Sequence, residues 1–246
     1  MALFQSNNPV LKQSVFDKAP HITGDAMTIR GTVNKMSFML LMLMAAAVYS
    51  WGEFSRGGNN VLPLAIGGAI VGFILAMVII FKKEWSPYLA PAYAIAEGLF
   101  LGAISAMFEA KWQGIVLQAV GLTFGTFIAM LVLYRTGVIR ATERFKSIVM
   151  TATLGIAVFY LIALVLRLFN IEMPLIHSSG TFGIIFSLVV VGIAALNLIL
   201  DFDMIEQGAA QGAPKYFEWY ASFGLMVTLV WLYLEILRLL SKLNRR

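Results

Sequence analysis

Apolar runs of about 20 residues, the length of helix that crosses roughly 30 Å of hydrocarbon, recur along this chain. That pattern restricts the fold more than any other feature. The spans are expected at roughly Val33 to Trp51, Val61 to Phe81, Tyr88 to Phe108, Ile115 to Tyr134, Ser147 to Phe169 and Thr181 to Leu200. A seventh begins between Tyr216 and Phe223 and ends near Leu240. With 60% hydrophobic and 13% charged residues over 246 positions, the chain is too apolar for a soluble domain of this length. Short loops leave no room for such a domain either. Residues 32–246 therefore read as one all-α integral membrane domain, a compact seven-helix transmembrane bundle. The segment 1–31 is a polar arm carrying Lys12, Lys18 and Arg30 and the turn signals Asn8-Pro9 and Ala19-Pro20. It reads either as a disordered solubilising arm or as a regulatory tail. A polar stretch of that length ahead of the first apolar run is no signal peptide.

The charges set an orientation. Lys82, Lys83, Arg135, Arg140, Arg144 and Lys146 fall in the second and fourth loops, on the side of the arm. The first, third and fifth loops hold one each: Arg56, Lys111 and, at a span end, Arg167. That alternation places the N-terminus in the cytoplasm. Seven crossings then carry the basic tail of Arg238, Lys242, Arg245 and Arg246 to the far side, against the same rule. A re-entrant last segment would bring it back. The net charge of +5 lies in loops and tails, so it reads as topology and lipid headgroup contact, not nucleic-acid binding. Trp51, Trp85, Trp112 and Trp219 sit near span ends, as interfacial tryptophans do.

Three small-residue pairs, Gly68/Gly72, Gly98/Gly102 and Gly121/Gly125, lie in the second, third and fourth spans. Glycines four apart let helices approach closely, so these are expected at contacts inside a bundle that is monomeric or weakly self-associating.

Acids beside hydrocarbon are costly and mark an ion or proton site by default. Asp201 ends the sixth apolar run, Asp203 points about 160° away from it on a helix, and Glu206 lies a turn beyond. Glu235 sits inside the last run, where it meets either Asp201 or, as an i, i+3 pair, Arg238. For Asp201 the plainer alternative is a boundary acid facing water. Glu97 is mid-span with no charge within ten residues; it is either a protonated, hydrogen-bonded acid or the lining of a wet cavity.

Other chemistry is poorly supported. An EF-hand at Asp201 lacks the glycine and further oxygen ligands that such a loop needs. The only histidines, His21 and His177, form no His-x-x-x-His pair, and there is no cysteine for thiolate or disulfide chemistry. Ser and Thr lack a nearby base. No enzyme and no cofactor is expected.

Leu200-Asp-Phe-Asp-Met-Ile-Glu206, closing the sixth span, and Leu232-Tyr-Leu-Glu-Ile-Leu-Arg-Leu-Leu240 in the seventh resemble blocks of the Bax inhibitor-1 family, in a bacterial member. Glu97-Gly98-x-x-Leu-Gly102 adds to the likeness. The resemblance implies a seven-helix protein of the bacterial inner membrane and a pH-sensitive calcium leak. In that picture two acids share a proton and gate the leak; carried over, they are Asp201 and Glu235, which would also be the oxygen ligands for a passing Ca2+. The seventh-span acid is Glu here instead of Asp, and the connection is about ten residues longer than the pattern. Glu218 is therefore a substitute partner, and Glu97 a substitute for a second-span acid replaced by Gly68. The family also permits a non-conducting interaction protein that modulates a membrane-bound protease or another helical partner. A proton-coupled transporter would need a midplane cavity around Glu97.

Overall fold

The structure is a computed structural model that describes residues 26–57, 61–169 and 180–245. Hydrocarbon offers no water to backbone N–H and C=O groups, so each apolar run satisfies them internally as a helix. Among the described residues seven long helices result: α1 (Ile29–Ser55), α2 (Val61–Phe81), α3 (Ser86–Lys111), α4 (Ile115–Arg135), α5 (Glu143–Leu168), α6 (Thr181–Ala210) and α7 (Phe217–Leu243). A single 3-10 turn, Lys83–Trp85, precedes α3. All seven are long and apolar enough to cross a membrane. Large apolar side chains such as Leu41, Val48, Phe73, Leu117, Ile148 and Leu161 point outward, as they do in a protein whose solvent is lipid.

Local chemistry places the helix ends. Thr28 and Thr142 cap α1 and α5 by accepting from Gly31 N at 3.0 Å and Phe145 N at 3.3 Å. At the start of α4 the Glu109 carboxylate takes two of the free amides, Gly114 N at 2.5 Å and Val116 N at 3.1 Å. Gly114 itself turns the chain there with φ of 82°, a left-handed conformation that a side chain disfavours.

The helix α7 is the hub of the bundle, packed by α6, α1, α4 and α3, whereas α2 packs mainly on α3 and α5 on α6. A full seventh crossing replaces the re-entrant alternative: α7 runs 27 residues without a break. The sixth span was expected to stop at Leu200, yet α6 continues to Ala210. At 30 residues it is about 45 Å long, so its last turns project beyond the hydrocarbon.

Two of the three glycine pairs lie at contacts. A methyl on Gly68 would meet the Ala96 carbonyl at 2.6 Å, and one on Gly72 the Glu97 carboxylate at 2.9 Å, so α2 lies directly on α3. Gly98 and Gly102 seat α3 against Leu43, Ala46 and Ala47 of α1, the closest-packed pair in the bundle. The third pair departs from expectation. Gly121 and Gly125 have nothing within 4 Å among the described residues and face outward from α4. Spacing marks where helices can approach, not which face has a neighbour.

The end of the polar arm is docked. Met27 N donates to Ala213 O at 2.7 Å, and Ala26 bridges to Pro214 in the α6–α7 turn. His21 and His177 lie outside the described residues.

Candidate functional site

Three contacts fix the antiparallel register of α6 and α7. Gly208 lies against Phe217, Asp201 against Gly224, and Gly183 and Ser187 against Lys242. Asp201 thus lies within its helix, nine residues before its end, on the side that meets α7. Its carboxyl is directed at α7: a methyl on Gly224 would sit 3.9 Å from Oδ1, and the Thr228 hydroxyl is beside it. Gly224 supplies the space, since any side chain there would press on the acid. Oδ2 is buried and has no hydrogen-bond partner among the described residues. A polar atom in that condition carries an appreciable desolvation cost, which native structures seldom retain without use.

Glu235 is not its neighbour. It lies on the same face of α7 but seven residues beyond Thr228, about 10 Å along the axis. A shared proton requires the two oxygens to be within hydrogen-bond distance of each other, so the expected pair is not formed. Instead Glu235, only 2% exposed, accepts from Arg238 at 2.8 Å and from the Tyr160 hydroxyl at 3.0 Å. Arg238 also reaches that hydroxyl at 2.7 Å. The i, i+3 reading of Glu235 and Arg238 therefore holds, with Tyr160 of α5 as a third member that spacing within one helix could not reveal. The second oxygen of Glu235 is, like that of Asp201, buried without a partner among the described residues.

The other acids are dispersed. Glu97 lies in the α2–α3 contact beside Gly72, away from the α6–α7 seam. Asp203, on the side of α6 away from Asp201, is ion-paired with Lys146 of α5 at 2.7 Å and accepts from Gln207 at 2.7 Å. Glu206 is exposed and accepts from the Tyr134 hydroxyl at 2.6 Å. These two acids help line a hollow of about 440 Å³ with Tyr134, Arg135 and Arg140 at the end of α4.

Glu218 is no substitute partner for Asp201. It is fully buried and held by Lys35 and Lys215, with the Thr28 amide and hydroxyl at 2.9 and 3.0 Å. Gly31 makes room for it on α1. Sequence inspection gave Lys35 no role, although a lone lysine in the second turn of an apolar helix was the available signal. No group of three or more His, Asp or Glu side chains is gathered for a resident metal ion among the described residues. Asp201 and Glu235 are too far apart to chelate one together.

Comparison with known families decides the chain's relationship. The family model described as Bax inhibitor 1 like matches residues 8–245, nearly the whole length. The chain belongs to that family. No curated protein and no solved structure matches it. As a Bax inhibitor 1 like protein it is an integral membrane protein, and its bilayer-facing surface is the outward apolar shell described above. Along the α6–α7 seam one acid, Asp201, has no ion-pair partner among the described residues, and the other, Glu235, is paired with Arg238.

Proposed function

We propose that this Bax inhibitor 1 like protein is a proton-responsive cation leak, with calcium as the passing ion, in which Asp201 by itself is the sensor. The observation that carries the reading is the buried, unpartnered Oδ2 of Asp201, set between α6 and α7 against Gly224 and Thr228. A neutral carboxyl is tolerated in such a site. An ionised one requires water or a cation to reach it, because no counter-charge is in place. Proton loss is therefore linked to loosening of the α6–α7 contact, and an entering hard cation finds an oxygen ligand. Glu235 contributes a second buried oxygen further along the same seam. The reading puts the arm on the cytoplasmic side of a bacterial inner membrane, and the basic loops around Lys82, Arg140 and Arg144 support that orientation.

The test is flux from purified protein in lipid vesicles across pH. Asp201→Asn, which cannot ionise, is expected to remove the pH dependence, while Glu235→Gln keeps it. A pH profile unchanged by Asp201→Asn overturns the assignment.

The outward Gly121 and Gly125 favour a second reading. Small residues facing lipid let another helix approach α4 closely, which suits a non-conducting modulator of a membrane protease or another helical partner. Flux from the protein alone separates the two.

A further inference from the structure

Lys242 is the least expected buried group in the bundle. It lies in the last turn of α7, only 2% exposed. Its ammonium donates to the Gly183 carbonyl at 3.0 Å and the Ser187 hydroxyl at 2.8 Å, both on α6. Among the described residues no carboxylate pairs with it. The charged groups that bear on it are Arg238, Glu235 and Arg245. Of these Glu235, the one acid, already holds Arg238.

Two helix ends act on this ammonium in opposite senses, since it lies in the last turn of α7, whose dipole favours a cation. Gly183 and Ser187 belong to the first turns of α6, where the aligned peptide dipoles present their positive end. A neutral side chain of similar length would fill the space at lower cost. Packing alone therefore does not account for an ammonium here.

Position suggests what does. Thr228, Glu235 and Lys242 recur every seven residues on α7, and Ser187, Asn197 and Asp201 lie on one three-and-four-spaced stripe of α6. The seam between the two helices thus carries Asp201 with Thr228, then Glu235 with its free oxygen, then Lys242 with its two oxygen ligands. A backbone carbonyl and a hydroxyl are hard, uncharged ligands that an inorganic cation accepts as an ammonium does.

We propose that Gly183 O and Ser187 Oγ form a cation-binding position at the end of the α6–α7 seam, and that the Lys242 ammonium occupies it and blocks passage. The block rests on the leak reading above; the binding position does not. Lys242 is a tethered ion, and removing its charge opens the seam to a free one.

Two measurements on the full chain test this. The first is thermal unfolding in detergent of Lys242→Ala, with calcium or potassium chloride added and choline chloride as the ionic-strength control. The vacated position is expected to make the unfolding midpoint rise with the metal cation, while wild type does not respond. The second is flux in vesicles loaded with a calcium indicator, where Lys242→Gln is expected to leak about tenfold faster than wild type at the pH of lowest flux. Its unfolding midpoint should not fall below that of wild type, because no ion pair is lost. If Lys242→Gln does not fold, Ser187→Ala removes one of the two ligands and is expected to raise flux several-fold; an unchanged rate overturns the block. A midpoint indifferent to cations in Lys242→Ala overturns the binding position. Wild-type flux from Lys242→Gln, in a protein whose Asp201→Asn still flattens the pH profile, overturns the block and leaves the leak standing. No flux from any variant at any pH overturns the leak and the block together.

Discussion

Replacing Gly102 by Ala and, separately, Gly121 by Ala should move stability in opposite directions, although both glycines belong to the same four-residue motif. A methyl on Gly102 would meet the Ala47 Cα at 2.7 Å and its carbonyl carbon at 2.8 Å. Ordinary carbon contacts lie at about 3.5–4.0 Å, so α1 and α3 would have to separate by about 1 Å or bend. Backbone cannot rotate away as a side chain can, which puts the cost at about 2–3 kcal/mol. For a chain of this size 1 kcal/mol corresponds to roughly 2–4 °C, so the midpoint should fall by about 4–12 °C. Gly121 has nothing within 4 Å among the described residues. There the new methyl only relieves the conformational entropy of glycine in a helix, a gain of about 0.5–1 kcal/mol. Apparent midpoints of both variants, measured by intrinsic fluorescence in one detergent at one heating rate, are sufficient. Equal shifts, or a larger loss at Gly121, would refute the assignment of α3 as the helix that α1 packs on.

Glu218→Gln should destabilise the bundle by about 3 kcal/mol, because it leaves the Lys35 ammonium beside a buried site without its counter-charge; chemical denaturation in mixed micelles measures it, and a neutral result would contradict the burial. Tyr233→Phe strips the buried Ser105 hydroxyl of its 2.6 Å partner and should cost about 1–3 kcal/mol in the same assay, with Ser105→Ala in the Phe background recovering part of it. Tyr134→Phe removes a bond of equal length to the exposed Glu206 and should change the midpoint by less than about 0.5 kcal/mol equivalent. Gly224→Leu should interfere with Asp201 directly, shifting the pH profile of flux as well as the midpoint, whereas a purely structural role for the contact would move the midpoint alone.

Helix positions were legible to the extent that hydrophobicity alone sets them. The bounds of α2, Val61–Phe81, match the apolar run residue for residue. α6 was read ten residues short for an identifiable reason. A cluster of carboxylates resembles the edge of a membrane, but here Asp201 is taken in by Gly224 and Thr228, Asp203 by Lys146 and Glu206 by Tyr134. None of those partners lies on α6 itself. The distance between Asp201 and Glu235 was illegible because the register of two antiparallel helices is set by packing and by the intervening turn. The turn after α6, with Gly212 at φ of 67° and Ala213 tied to Met27, fixes that register. Lys242 was visible as one more basic residue of a tail; its burial depends on α6 lying across it.

That same turn has a mechanical consequence. Met27 is fastened to Ala213, and Thr28 and Lys35 to Glu218, so the beginning of α1 and the start of α7 move as one piece. A displacement of Met27 and Thr28 is therefore carried straight to the hairpin that holds Asp201 and Gly224.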